Sequence, residues 1–273
     1  MHKRMNIFIK ALIHQANKFE LPCELIMVEW NPPEGQPLLH EILPKPTLND
    51  FLKVRYIVVP DAIHNKMDYA DIIPLFQMIA KNVGIRRASA PFVLCTNVDL
   101  LFSDRLFSFL AKRELRDDVY YRCNRCDIPN TIDENWPVEQ QLKFCEKNII
   151  KRIGKNKFFP NITYTDSFIF NFQRVASIYA KMVARFTDPI DTKLASVDTD
   201  GCGDFTLMSK QGWIEMQGYP ELELYSIHID SMGLFGALAA GYEQVILDRY
   251  SCTYHIAHEG GWESEMPIER IKN

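Results

Sequence analysis

The chain contains 273 residues, 47% of them hydrophobic and 12% aromatic, so it has enough apolar material for a packed domain and is not a disordered protein. With a formal net charge of -4, the chain lacks the overall basic character of nucleic-acid-binding proteins. No apolar run approaches the roughly 20 residues of a transmembrane helix, and an odd count of seven cysteines favours reduced thiols in a cytoplasmic protein.

The first part of the chain alternates helix and strand signals. Apolar positions at helical spacing predict a helix over residues 6–18. A second helix is predicted over Ile72–Val83, ended by Gly84. Nearly continuous apolar runs predict buried parallel strands over Glu24–Trp30, Tyr56–Pro60 and Ala90–Thr96.

The rest of the chain continues this alternation less regularly. Ser103 is predicted to cap a helix that continues through Leu110. Residues 130–160 show no clear period, and the polar run Thr187–Gly203 predicts a long loop of the kind that is often functional. The remaining predicted strands are Val119–Arg122, Phe168–Phe172, Gln244–Leu247 and Ser251–Ile256. Further helices are predicted from Phe172 through Ala184, over Asp204–Trp213 and over His228–Ala240.

This alternation predicts an α/β domain with a mostly parallel sheet and crossover helices. Such a domain normally opens on a central strand, whereas this chain opens on a helix. Either the sheet is built from the later strands alone, or a first strand lies outside this sequence.

Asn97-Val98-Asp99 is the sharpest local motif, because a hydrophobic strand delivers an acidic residue to its carboxyl edge. Ligands of open α/β sheets bind at that edge. A carboxylate there can hold Mg²⁺ or Mn²⁺, which in turn holds a diphosphate. The alternative is that Asp99 only caps the turn that follows.

Arg86 and Arg87 follow Gly84 and come immediately before the third predicted strand. The planar guanidinium group binds two phosphate oxygens at once, so the pair is a candidate for phosphate recognition. A solvated basic turn at the surface is the alternative.

Gly203 and Asp204 form a second candidate segment, since glycine allows a close backbone approach to a ligand. Asp204 is a candidate contact for a sugar hydroxyl, or the start of the predicted helix. Asp230 opens the next predicted helix, either as its N-terminal cap or as a general base.

His255 and His258 come at the end of the last predicted strand, where they either ligate a metal or act as ordinary hydrogen-bonding residues. Cys123 and Cys126 have the spacing of half a zinc site, but no second pair accompanies them. Two half-buried thiols are therefore the preferred interpretation of the cysteine pair.

Taken in order, these motifs resemble those of the GT-A glycosyltransferases, especially the family 2 and galactosyltransferase-like groups, across nearly the whole chain. The resemblance implies one GT-A (nucleotide-diphospho-sugar transferase) domain over residues 1–273, with a mostly parallel central sheet flanked by helices. Its nucleotide-binding half would cover about residues 1–125 and its acceptor-side half about residues 160–273.

The resemblance also implies a role for individual residues. Glu29 matches the acidic residue that contacts the nucleotide base, and Asn97-Val98-Asp99 matches the DxD motif for metal and diphosphate. Asp230 matches the base of inverting members. The matching nucleotide-binding positions are Asn82, Gly84 and Arg87, and the adjacent Arg86 is a further candidate for the leaving diphosphate; the matching substrate-binding positions are Gly203, Asp204 and Glu221; the matching metal ligands are Asp99 with His255 or His258.

Two positions depart from the family pattern. Asn97 replaces the first DxD carboxylate, and Ile229 precedes Asp230 where family 2 enzymes often carry Glu. The first departure implies either a weaker affinity for the metal or a metal held mainly by Asp99 and a histidine.

These matches lead to the hypothesis of an inverting, Mn²⁺- or Mg²⁺-assisted hexosyltransferase that uses a nucleoside-diphosphate sugar, preferably a UDP-sugar, and a hydroxyl acceptor. The hypothesis places Asp99, the Arg86–Arg87 pair and a C-terminal histidine at the mouth of one cleft. The loop Thr187–Gly203 would order over the bound donor. Two alternatives are a non-catalytic carbohydrate- or protein-binding module on the same fold, and a sugar nucleotidyltransferase.

Overall fold

The computed structural model describes residues 1–154, 197–226 and 228–258, and within these ranges helices and strands form a mixed α/β arrangement. The helices are α1 (His2–Lys18), α2 (Leu39–Ile42), α3 (Asp61–His64), α4 (Gln77–Arg87), α5 (Asp104–Ala111), α6 (Val138–Lys147), α7 (Lys210–Glu215) and α8 (Ile229–Ala239). The strands are β1 (Cys23–Trp30), β2 (Leu52–Val59), β3 (Phe92–Thr96), β4 (Leu100–Phe102), β5 (Val119–Arg122), β6 (Asn124–Ile128), β7 (Lys151–Ile153), β8 (Phe205–Ser209), β9 (Glu243–Ile246) and β10 (Cys252–Ile256).

The strands pair into three sheets, with the orders β1-β2, β4-β10-β6-β7 and β3-β8-β5-β9. Parallel pairs join β1 to β2, β6 to β10, and β5 to β9. Antiparallel pairs join β4 to β10, β3 to β8, β5 to β8, and β6 to β7. The predicted mostly parallel sheet is therefore wrong for the described residues. Strands from distant parts of the chain insert between earlier strands: β8 runs antiparallel to both of its neighbours, and β10 runs antiparallel to β4 and parallel to β6.

Most predicted elements in the described ranges are confirmed. The structure contains α8 and strands β1, β3, β5, β9 and β10 close to their predicted bounds, and it contains α1 and β2 with starts about four residues earlier than predicted. The predicted cap at Ser103 is also present, because the Leu106 amide donates to Ser103 Oγ at 3.2 Å. Local hydrophobic patterns, either helical spacing or a short apolar run, therefore identified these elements correctly.

The helix predicted to end at Gly84 is displaced. Instead, α4 begins at Gln77, beyond Pro74, and continues through Gly84 to Arg87. An interior glycine costs a helix only about 1 kcal/mol, which packing can offset. Gly84 faces β1, where an added Cβ would lie 3.6 Å from Val28 Cγ2, so the helix packs closely on the strand there.

The helix predicted over Asp204–Trp213 is also wrong in its first half. Phe205–Ser209 forms strand β8, which pairs with β3 on one side and β5 on the other, and α7 begins only at Lys210. All five residues of β8 are buried, so the segment lacks the alternation that separates a strand from a helix.

Three predicted elements lie partly or wholly outside the residues that the structure describes. The strand Phe168–Phe172 and the helix through Ala184 lie outside the described residues, as does most of the loop Thr187–Gly203. In the described part of 130–160, regular structure exists where none was predicted, namely α6 and β7.

Helix α1 positions the strand that follows Asp99. Phe8 and Leu12 pack in one buried cluster with β1, β2 and α5, whereas Ile7 and Ala11 pack in another with β4, β6 and β10. The buried Gln15 amide donates to the Phe102 carbonyl of β4 at 2.7 Å. Burying each large apolar side chain stabilises the fold by roughly 1.5–3 kcal/mol. Helix α1 therefore joins the two buried clusters and fixes β4 between them.

No helix within the described ranges has both the length and the apolar character needed to cross a bilayer.

Candidate functional site

The register of the β4-β10-β6 sheet places three ionisable residues in a row. In β10, His255 is the register partner of Leu100 on one side and of Asp127 on the other. The Ile256 amide donates to the Asp99 carbonyl at 3.0 Å, so the residue just before β4 is also fixed against β10. Residues far apart in sequence therefore meet because β10 inserts between β4 and β6.

Asp99, His255 and His258 converge on one point. Asp99 Oδ2 lies 3.0 Å from His258 Nε2 and 3.6 Å from His255 Nε2. One ligand atom from each of the three residues lies within 4.8 Å of the others. The side chains of Asp99 and His255 are 13% and 14% exposed and that of His258 is 33% exposed, so solvent reaches the cluster on the His258 side.

The donor set fits a divalent transition metal. Asp99 Oδ1 is buried and forms no hydrogen bond with any described residue, which leaves a carboxylate oxygen for a ligand. Imidazole nitrogens suit transition metals, whereas Mg²⁺ prefers an all-oxygen environment. Of the two predicted ions, Mn²⁺ therefore fits this set better than Mg²⁺.

His255 is held between two carboxylates. Burial alone would lower its pKa, but interactions with Asp127 and Asp99 outweigh burial and raise the pKa of His255 to about 9. Burial alone would likewise raise the pKa values of both carboxyls. The partners of Asp127, including His255 and Arg125, instead lower its pKa to about 2, and the two histidines hold the pKa of Asp99 below its usual value. The site thus favours a positive charge between the two carboxylates.

Asp204 joins the cluster of Asp99, His255 and His258 to the end of β3. Its side chain is 7% exposed and pairs with Arg125 Nη1 at 3.1 Å. Asn97 Nδ2 donates to Asp204 Oδ1 at 2.7 Å, and Gln77 Nε2 donates to Asn97 Oδ1 at 3.0 Å. Both polar atoms of Asn97 are therefore engaged, and Asn97 braces Asp204 instead of presenting its oxygen beside Asp99.

This arrangement predicts that Asn97→Asp, which restores the DxD pattern, lowers stability. The change removes the donor to Asp204 and places two carboxylates at hydrogen-bond distance. Hydrogen bonds to charged groups contribute about 1.5–3 kcal/mol, so we expect a loss of at least that size. Denaturant unfolding measures it. Asn97→Ser, which removes the amide without adding charge, is the control, and an Asn97→Asp protein as stable as the parent would contradict the arrangement.

Asp230 lies against the backbone of Gly203. A Cβ added to Gly203 would lie 2.8 Å from Asp230 Oδ2 and 3.9 Å from Lys81 Nζ. Lys81 Nζ also donates to the Gly203 carbonyl at 2.7 Å. The absence of a side chain at position 203 thus lets a carboxylate and an ammonium group both approach the backbone next to Asp204.

Arg122 holds the described end of the polar loop. This buried guanidinium donates through Nε to the Phe205 carbonyl at 2.7 Å and through Nη2 to the Asp200 carbonyl at 2.9 Å. A third bond, from Nη1, reaches the Asp198 carbonyl at 3.2 Å. The backbone that carries Gly203 and Asp204 is therefore fixed from the end of β5.

The structure does not bring the arginine pair to this cluster. Gln77, which contacts Asn97, begins α4, and Arg86 lies nine residues further along, which is about 14 Å at 1.5 Å per residue. There Arg86 Nη2 pairs with Glu221 Oε1 at 2.5 Å. Arg87 donates to the Val83 carbonyl of its own helix. The predicted juxtaposition of Asp99 with the arginine pair is thus corrected.

Asn82 and Glu221 belong to this second end of α4 as well. The buried Asn82 amide donates to Glu221 Oε1 at 3.0 Å and to the Tyr219 carbonyl at 2.8 Å. Glu29, at the end of β1, accepts from the Leu39 amide at 3.1 Å and so caps α2. In this structure these predicted ligand-binding side chains make structural contacts.

Cavities of about 190 and 350 Å³ also lie at the Arg86 end of α4. Both are bordered by Arg86, Gln217 and Gly218, and the larger one reaches Met232 on α8. Apart from the Arg86–Glu221 ion pair, the described residues that line them include no other charged side chain and no histidine or cysteine. We therefore assign chemistry to the Asp99 cluster, where ionisable groups converge.

The cysteines do not form a metal site in the described ranges. All seven are free thiols, and six are buried. Cys123 and Cys126 pack in separate apolar clusters, and the metal-capable cluster found among the described residues is that of Asp99, His255 and His258. The two thiols are more deeply buried than the sequence interpretation held.

The sequence interpretation missed Asp127, Arg125 and Lys81. A signal for the first two exists, because charged residues two apart within a buried strand share one face. Lys81 follows Gln77 by four residues and so shares its face of α4. None of these signals indicates which distant residue lies opposite.

No protein-family model matches the chain, and no curated protein matches it either.

Proposed function

We propose that the chain is a metal-assisted glycosyltransferase, which transfers a sugar from a nucleoside-diphosphate donor to a hydroxyl acceptor on a GT-A type of fold. The observation that carries the proposal is the convergence of Asp99 with His255 and His258, two nitrogen ligands from the last described strand and its end. Asp99 lies where β3 leads into β4, which is where the resemblance implies a metal ligand, and His255 and His258 come to it from β10 and the residues just after it.

The three residues would hold the cation, with Asp99 supplying oxygen and the histidines supplying nitrogen. A divalent cation bound there would neutralise the charge that develops on the leaving diphosphate. Asp99 is 13% exposed, which keeps competing water away from its oxygens. The more exposed His258 lies on the side from which a donor would enter.

Lys81, in place of the arginine pair, supplies the second positive charge in this proposal. Lys81 and Gln77 lie one helical turn apart on the same face of α4, and Gln77 contacts Asn97. Lys81 Nζ bonds the Gly203 carbonyl, which leaves further N–H donors for a phosphate oxygen. Arg86, by contrast, is committed to Glu221 at the far end of the helix.

Lys81→Met should therefore weaken binding of a nucleoside diphosphate. A hydrogen bond between charged groups is worth about 1.5–3 kcal/mol, which corresponds to roughly a 10- to 100-fold rise in Kd. Isothermal titration with UDP and Mn²⁺ measures this. Arg86→Met removes the same charge from the same helix and should leave the Kd unchanged. A larger rise in Kd for Arg86→Met than for Lys81→Met would instead place the phosphate-binding site at the arginine end of α4.

Asp230 is the base in this proposal. It is half-buried in the first turn of α8, where its Oδ1 accepts from the Ser231 amide at 2.8 Å. Its Oδ2 lies against Gly203. In this proposal the acceptor oxygen attacks the sugar from the face opposite the leaving diphosphate. As it attacks, its hydroxyl proton moves to Asp230 Oδ2.

The test is a panel of UDP-, GDP-, CMP- and dTDP-sugars, each with and without Mn²⁺. A true donor should raise the thermal unfolding midpoint of the full chain only when Mn²⁺ is present, because ligands of the native state stabilise it. Release of the nucleoside diphosphate from that donor should follow, and addition of hydroxyl acceptors should accelerate it. A panel without any stabilising donor would remove the proposal.

Other outcomes of the same panel identify the alternatives. Formation of pyrophosphate indicates a sugar nucleotidyltransferase, and stabilisation without turnover indicates a binding module. Two imidazoles and one carboxylate are also the ligand set of oxygen-activating iron enzymes. Oxygen consumption with Fe²⁺, combined with indifference to every nucleotide sugar, would select that chemistry.

A further inference from the structure

We infer that Asp127 is a positioning residue for the metal centre. It holds the His255 ring in the orientation in which Nε2 is the nitrogen that binds the metal. The inference rests on the metal site of the proposed function and deepens it. The carboxylate of Asp127 lies at one nitrogen of the ring and that of Asp99 at the other.

The geometry separates the two nitrogens of His255. Nδ1 lies 3.2 Å from Asp127 Oδ1, whereas Nε2 faces Asp99 Oδ2 at 3.6 Å. The contact with Asp127 is an ion pair whose angles depart from those of an aligned hydrogen bond. Asp127 therefore lies on the far side of the imidazole from the ligand cluster and does not belong to the ligand set itself.

The backbone holds this arrangement in place. Asp127 and His255 are register partners on the parallel strands β6 and β10, so their side chains leave the sheet side by side. Two cations fix the carboxylate further, with Arg125 Nε 2.8 Å from Oδ1 and Lys151 Nζ 3.1 Å from Oδ2. The Asp127 side chain is 9% exposed, which keeps water from competing for these contacts.

Carboxylates in this position behind a ligating histidine orient the ring and raise its basicity as a ligand. Their removal typically weakens metal binding by about 10- to 100-fold. Asp127 also links the metal ligands to the rest of the site, because its partner Arg125 pairs with Asp204 at 3.1 Å. The same carboxylate thus supports a metal ligand and the buried network that ends at Asn97.

The experiment measures Mn²⁺ affinity of the full chain by electron paramagnetic resonance, without any nucleotide sugar. Asp127→Asn should raise the Kd for Mn²⁺ by about 10- to 100-fold, and Asp127→Glu should recover part of the loss. Asp118→Asn is the matched control, since Asp118 is an exposed, arginine-paired acid whose loss changes the net charge equally. Equal affinities of the parent and Asp127→Asn proteins would overturn the inference.

A second measurement uses the parent protein and so does not depend on how a variant folds. With ¹⁵N-labelled histidine and Zn²⁺ as the probe, His255 should show a metal-bound Nε2 and a protonated Nδ1. A metal-bound Nδ1 would refute the positioning role while leaving the metal centre intact. If the parent binds neither ion, the metal centre of the proposed function fails together with the inference. Metal binding that depends on Asp127, without any sugar transfer, would remove only the proposed function.

Discussion

Asp99→Ala should abolish tight Mn²⁺ binding and lower metal-dependent turnover by about 100-fold or more, because a metal supplies several kcal/mol of charge stabilisation in a transition state. Asp99 is the only carboxylate in the metal-capable cluster found among the described residues. Its Oδ2 contacts both histidines, and its buried Oδ1 forms no hydrogen bond with any described residue. Mn²⁺ titration and steady-state release of the nucleoside diphosphate measure the two effects.

The loss should arise from the ligand and not from the fold. Removing Asp99 leaves His255 paired with Asp127, so the buried imidazole keeps one carboxylate partner. Asp71→Ala, at an exposed acidic residue, is the control for the loss of one negative charge. Unchanged Mn²⁺ affinity in a folded Asp99→Ala protein would show that the three side chains are only a hydrogen-bonded cluster.

Much of the fold could be predicted because individual elements carry local signals. The apolar runs of β1, β2 and β3 identify strands, although most of their residues are only half-buried, and the serine cap at Ser103 marks the start of α5. Pairing between strands is a non-local property. Because β8 and β10 insert among earlier strands, the order and direction of the sheets follow from tertiary packing and not from any single segment.

The residues of the candidate site likewise fall into those with a local sequence signal and those whose role depends on strand pairing. Asp99, His255 and His258 were predicted because each ends or follows a strand, and the carboxyl ends of strands are where ligands bind. The role of Asp127 depends on its register with His255, which no local pattern reveals. Arg86 illustrates the opposite error, since proximity in sequence to β3 placed it near Asp99, whereas the length of α4 separates the two.

Asn97 illustrates how a motif and its environment differ. The pattern Asn-x-Asp suggests a weakened metal ligand, but Asp204 and Gln77 occupy both atoms of the amide. An amide is the side chain that can donate to Asp204 and accept from Gln77 at once, which a carboxylate cannot do. The asparagine is therefore explained by the buried network around it.

Asp230→Asn should lower kcat by about 10²- to 10⁴-fold, the usual effect of removing a general base. The affinity for the donor should be unchanged, because in the proposal Asp230 contacts the acceptor hydroxyl and not the donor. Asparagine keeps an oxygen for the Ser231 amide, which now donates to Asp230 Oδ1 at 2.8 Å, so the start of α8 is preserved. Turnover with saturating donor, together with titration of the donor, separates the two effects.

Glu221→Gln is the matched control for Asp230→Asn, since it also replaces a carboxylate by its amide. Glu221 pairs with Arg86 at the other end of α4, so its replacement should leave kcat unchanged. If Asp230→Asn instead loses donor affinity while the protein stays folded, the carboxylate contacts the donor and the proton must leave through another group. The amide lacks the negative charge and replaces one acceptor oxygen by an N–H donor, so that result would place a hydroxyl or the bound cation of the donor, and not the acceptor hydroxyl, beside Gly203.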